Sequence, residues 1–150
     1  MEIRRIREDE FEPIAQDKRD QFIRFFTENA AYPSLLGMQF EEIRADYARM
    51  RLPYRAELDQ PAGLVHGGAI ASLIDTVVVG TIISTLDRVP RKMLTIDLHV
   101  HYLDAVRRED IIAEGITRRR GRSTIFLEVD AFTEAGTVVA HGEMAYKLVL

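Results

Sequence analysis

Asp75 stands nine residues beyond His66, in a triplet His66-Gly67-Gly68, inside a run that is otherwise almost wholly apolar as far as Leu86. Two consecutive glycines at the start of a helix bare its first backbone N–H groups, which lack acceptors within the helix and sit at its positive dipole end. Without side chains, Gly67 and Gly68 admit a ligand oxygen close to that backbone and form a candidate oxyanion site. An oxyanion site and a carboxylate together can hydrolyse an acyl compound, one polarising the carbonyl while the other directs attack. Within one helix the two cannot face the same bond. Eight residues separate Gly67 from Asp75, roughly 12 Å of rise and about 80° of rotation. A second, antiparallel copy of the helix would set one chain's Asp75 opposite the other's Gly67, so the chemistry calls for a dimer with two identical sites.

The element that must carry these groups runs from His66 to Leu86. It is too long and too apolar for an ordinary strand and contains no proline, so it reads as a helix. Its apolar residues fall on nearly every side of the helical wheel, as in a helix enclosed by other structure. Ser72, Asp75 and Thr76, three and four positions apart, form a polar stripe on one face. A membrane span would need roughly 20 apolar residues and would have to tolerate Asp75 in the bilayer, and the surrounding sequence is charged and strand-patterned. The plain structural alternative for Asp75 is a carboxylate bonded to nearby backbone or paired with an arginine.

Residues 17–30 carry Phe22, Phe25, Phe26 and Ala30 at helical spacing, an amphipathic helix that Tyr32-Pro33 should end. Strands are expected over 38–45 and 47–54, the second with Ala48, Met50, Leu52 and Tyr54 alternating with Arg49, Arg51 and Pro53. Pro61 and Gly63 punctuate the loop feeding the helix. After it, four strand-like runs at 94–103, 111–117, 124–132 and 138–149 suggest a meander. The expected class is α+β, an antiparallel sheet curled round a buried helix.

Composition narrows the function. One hundred and fifty residues suit one domain with a sizeable core, and the net charge of −4 gives no overall attraction to nucleic acid or anionic membrane. The chain has no cysteine, which excludes disulfides and thiol catalysis and agrees with a cytoplasmic location. The N-terminus mixes Arg4, Arg5 and Arg7 with Glu8, Asp9 and Glu10 and does not read as a signal peptide.

Gly63-Leu64-Val65-His66-Gly67-Gly68, followed by Leu73 and Asp75, resembles the signature of the hotdog-fold acyl-CoA thioesterases of the phenylacetate-pathway type. The likeness runs from about Leu35 to the C-terminus, implying an N-terminal helical extension over 1–34 and a hotdog domain over 35–150. It implies a six-stranded sheet around a long helix, homodimers or dimers of dimers joined edge to edge, and active sites at the dimer interface. It makes Asp75 the general base or nucleophile and gives the Gly67 N–H to the thioester oxygen. His66 becomes a first-turn residue that shapes the loop beside the thioester. Six residues before the histidine, where this type usually carries Asn, the chain has Gln60, as related branches do. Thr95 matches a hydroxyl that positions water in some members, with an ordinary strand threonine as its alternative. The substrate would be an aryl- or fatty-acyl-CoA, with coenzyme A arriving as part of the substrate and no metal or organic cofactor.

Clustered cations suit the coenzyme A phosphates. The candidates are Arg91 with Lys92, and Arg120, Gly121 and Arg122 within the tract 118–122, which otherwise reads as a solvated hairpin. Neither cluster has the interleaved aromatics expected of a nucleic-acid surface. His99 and His101 share a strand face with Asp97, but successive same-face residues lie roughly 7 Å apart, a poor spacing for one metal ion. Packing at a dimer edge suits them better. A non-catalytic acyl-CoA-binding protein or regulator on the same fold is the alternative of a different class. Tyr32, Phe40 and apolar residues of the central helix are candidates for the acyl pocket.

Overall fold

A computed structural model describes residues 6–150. The elements are α1 (Gln16–Asn29), α2 (Ala31–Leu35), β1 (Gln39–Arg44), β2 (Tyr47–Leu52), α3 (Gly67–Ile83), β3 (Lys92–Tyr102), β4 (Ile111–Arg120), β5 (Thr124–Thr133) and β6 (Val138–Val149). The strands form one antiparallel six-stranded sheet, and α3 packs against its inner face. This is the α+β arrangement that the hotdog resemblance implies.

Alternation explains β2: Ala48, Met50 and Leu52 point into the core beneath α3, while Arg49 and Arg51 face outward onto Glu41. The apolar residues of α3 do the rest. Leu73, Ile74, Val77, Val78 and Ile82 are fully buried, the removal of apolar surface from water that holds a helix on a sheet.

Two expectations are corrected. The helix predicted to stop at Tyr32-Pro33 breaks earlier, at Ala30, and α2 continues through both residues. Pro33 is the third residue of that short helix, inside the first turn, where no intrahelical bond needs its missing N–H. The four later strands do not form a simple meander. The sheet order is β1-β2-β4-β5-β6-β3, so β3 crosses to the far edge and pairs with β6 instead of β4. The first hairpin takes the place beside β4, and β3 is left with one neighbour.

Gly142 lets β6 lie close beneath α3. A Cβ there would stand 2.5 Å from Cγ2 of fully buried Ile74. Gly142→Ala should therefore destabilise the fold by about 1–3 kcal/mol through overpacking, seen as a Tm several degrees lower in calorimetry; an unchanged Tm would contradict this packing.

Candidate active site

The loop before α3 is fixed at both ends. The His66 N–H donates to the Leu58 carbonyl at 2.8 Å and the Val65 N–H to the Val106 carbonyl at 2.9 Å. Between them the Gln60 N–H donates to Leu64 O at 2.8 Å, and Gly63, at φ +73°, takes the left-handed turn a side chain would resist. The side-chain oxygen of Gln60 accepts from the Ala62 N–H at 2.7 Å, so it is the amide NH2 that stays available.

His66 caps α3. Its Nδ1 accepts from the Gly68 N–H at 2.8 Å, and its carbonyl accepts from the Ala69 N–H at 2.9 Å. Among the described residues the Gly67 N–H meets no acceptor, so the cap leaves one donor of the first turn for an incoming oxygen. The hydroxyl of Tyr102, from β3, donates to the Gly67 carbonyl at 2.8 Å and lays its ring beside the glycine. Gly68 thus serves the cap, while the Gly67 N–H is left without an acceptor among the described residues.

One helical face further on, Asp75 is half-buried and has no arginine partner among the described residues. Its Oδ1 accepts from the Thr95 hydroxyl at 2.9 Å and from the Tyr146 hydroxyl at 2.8 Å. Tyr146 is only 4% exposed. Burial, above all, pushes its phenol well above the usual range; the Thr95 hydroxyl opposes this and the Asp75 carboxylate adds to it. The tyrosine therefore remains a donor throughout the working pH range. Oδ2 of Asp75 takes no donor among the described residues.

A capped helix start with one free N–H and a carboxylate with one free oxygen suit acyl transfer to water. The sequence profile of the thioesterase superfamily matches residues 62–140, more than half the chain, and spans both groups. The chain belongs to the thioesterase superfamily. That membership makes thioester hydrolysis its class of chemistry. A protein of Halobacterium salinarum named "Putative esterase" is 33% identical over 83% of this chain and 84% of its own length. The fold matches that of the Escherichia coli PaaI protein from the phenylacetic acid degradation operon, with TM-score 0.80 and 18% identity over 89% of this chain and 95% of that one. A thioesterase of Haemophilus influenzae superposes with TM-score 0.77 at 19% identity, over 87% and 89% of the two chains.

The other candidate residues are scattered over the thioesterase. Arg91 and Lys92 are exposed where β3 begins. Gly121 and Arg122 lie exposed at the turn between β4 and β5, but Arg120 is held by Asp46 at 2.7 Å. Phe40 packs against Phe22, Phe26 and Gly80, within the layer between α1 and α3. Tyr32 instead reaches the helix, its hydroxyl 2.8 Å from that of Ser72, one turn before Asp75. His99 and His101 lie on the outer face of β3, away from Asp75. His141, which the sequence leaves without a partner, sits 2.8 Å from Asp130. No group of three or more metal-ligating side chains is found among the described residues. No helix among them is long and apolar enough to cross a membrane.

Tyr146 and Tyr102 escaped the sequence reading. Tyr102 stands seven residues after Thr95 at the end of the same strand, a signal that becomes legible only once both are known to face α3.

Proposed function

We propose that this chain is an acyl-CoA thioesterase that works as a homodimer and splits an aryl- or fatty-acyl-CoA into free acid and coenzyme A. The observation that carries this reading is that both halves of the site are anchored to β3. Thr95 holds Asp75 and Tyr102 holds Gly67, and β3 is one of the sheet's two edge strands, paired with β6 on one side.

An open strand of eleven residues invites pairing with another strand. Leu94, Ile96, Tyr102 and Leu103, on or beside it, are each about half exposed. Antiparallel self-pairing about His99 sets Leu98 opposite the partner subunit's Val100 and Asp97 opposite the partner subunit's His101. The ladder shift between Thr95 and Asp97 leaves Ile96 as an extra residue. Thr95 then falls opposite the partner subunit's Tyr102, with like faces together. One chain's Asp75 and the other's Gly67 would thus approach one cleft, across strands about 5 Å apart.

In that cleft the Gly67 N–H receives the thioester oxygen as charge develops on it, and the Gln60 amide orients the carbonyl. Oδ2 of Asp75 takes a proton from the attacking water as its oxygen bonds the carbonyl carbon; the C–S bond then breaks, and the proton held on Asp75 passes to the departing sulfur, giving the free acid and coenzyme A and restoring the carboxylate. Of the candidate cations, Arg91, Lys92 and Arg122 are exposed with no ion pair among the described residues, and they meet the phosphates. These groups need no metal or organic cofactor to complete the reaction.

The test is thiol release from benzoyl-, phenylacetyl-, hexanoyl- and decanoyl-CoA. At least one should be turned over with kcat/KM of about 10⁴ M⁻¹ s⁻¹ or more, the lower end for ordinary enzymes. Tight binding of all four with no thiol released would instead identify a binding protein.

A further inference from the structure

Tyr146 belongs to β6 and lies opposite Thr95 in the β3–β6 ladder. Its hydroxyl is 2.8 Å from Asp75 Oδ1 and 2.9 Å from the Asp75 main-chain carbonyl. Its single proton is shared between these two acceptors, so the tyrosine meets both the side chain of Asp75 and the helical turn that bears it. Thr95 donates to the same Oδ1 from the neighbouring strand. One carboxylate oxygen is thus held by two hydroxyls from two strands, while Oδ2 is left open.

A buried tyrosine whose hydroxyl merely needed an acceptor could stop at the helix carbonyl. Here the hydroxyl lies within hydrogen-bond distance of the carboxylate as well. Hydrogen bonds to a charged carboxylate are the strong kind, and two on one oxygen fix the side-chain rotamer and orientation. A carboxylate free to swing would present either oxygen, at varying distances from the scissile bond. Small misplacements of that kind slow reactions heavily.

We propose that Tyr146 is a positioning residue for hydrolysis: with Thr95 it occupies Oδ1 of Asp75, so that Oδ2 alone takes the proton of the attacking water. Tyr146 touches neither substrate nor water; it acts only through Asp75. This rests on the reading of Asp75 as the base, and the experiment separates the two.

Tyr146→Phe keeps the ring and removes the hydroxyl. Using whichever acyl-CoA of the panel is turned over fastest, kcat should fall about 10- to 100-fold, the effect of losing one hydrogen bond to a charged group, with KM within about twofold. In an Asp75→Asn background the same change should alter the residual rate by less than about twofold, because the group it acts through is gone. A second series avoids any loss of folding. Replacing Tyr146 with 3-fluoro- and 3,5-difluorotyrosine changes the strength of the donor with little change in shape, and kcat should shift in graded order while KM holds. A kcat unchanged by both the phenylalanine and the fluorinated residues overturns the proposal. So does an equal loss in the presence and absence of the Asp75 carboxylate. If Asp75→Asn itself turns over like wild type, the underlying reading of the site fails instead.

Discussion

Asp75→Asn should lower kcat/KM by about a thousandfold or more, the upper range of what positioned acid–base groups contribute, and leave the fold intact. Asparagine has nearly the same shape, and its side-chain oxygen can still accept from Thr95 and Tyr146 at the position of Oδ1. The local hydrogen bonds therefore survive. What is lost is the ability of the second oxygen, replaced by an NH2 group, to take a proton from water. Because the change subtracts chemistry without opening a cavity, Tm should move by no more than a few degrees and acyl-CoA binding should persist. The comparison to make is thiol release beside equilibrium binding of the same acyl-CoA. Wild-type turnover by the variant would remove Asp75 from the mechanism. Loss of binding together with turnover would place Asp75 in substrate recognition instead.

The positions that could be read in advance are those where local chemistry and chain order agree. Gly67, Gly68 and His66 announce a helix start, since only that setting makes bare N–H groups useful. The alternation of Ala48, Met50 and Leu52 with Arg49 and Arg51 marks which side of β2 is covered, because a strand's period is fixed by its geometry. Long-range pairing is different. Nothing local distinguishes a β3 that continues into β4 from one that crosses to the far edge, since both satisfy the same alternation. The meander reading sets β3 beside β4, and so conceals that Tyr146 faces Thr95. The second donor to Asp75 was therefore hidden by an error of topology, not by an unusual residue. Gly68 shows a smaller limit. Its bare N–H is spoken for by a side chain only two residues away, and rotamers of that kind leave no trace in spacing.

The cap also narrows what the helix start can do. His66 absorbs the Gly68 N–H through its ring and the Ala69 N–H through its carbonyl, and Tyr102 steadies the Gly67 carbonyl. The peptide on the C-terminal side of Gly67 is thus held at both its carbonyl and its N–H, while the N–H of Gly67 itself is left without an acceptor among the described residues. A fixed donor of this sort stabilises developing charge without having to reorganise during the reaction.

A mixture of two inactive variants should recover activity if the two halves of each site come from different chains. Gly67→Val puts bulk beside the free N–H and against the Tyr102 ring, where even a Cβ would stand only 3.2 Å away. Asp75→Asn disables the base. Each homodimer would then carry two defective sites, one type lacking the amide and the other the carboxylate. In a mixed dimer the defects segregate: one cleft receives both, and the other pairs an intact Gly67 with an intact Asp75. Unfolding and refolding equal amounts together should make half the dimers mixed, each with one working site of two, restoring about a quarter of wild-type activity for an isologous dimer. Refolding each variant alone should restore nothing, and sedimentation should report dimers throughout. Site-sharing within a single chain predicts no recovery at any mixing ratio. The quarter-level rescue therefore tests the step on which the mechanism depends, the meeting of one subunit's Asp75 with the other's Gly67 across paired β3 edges.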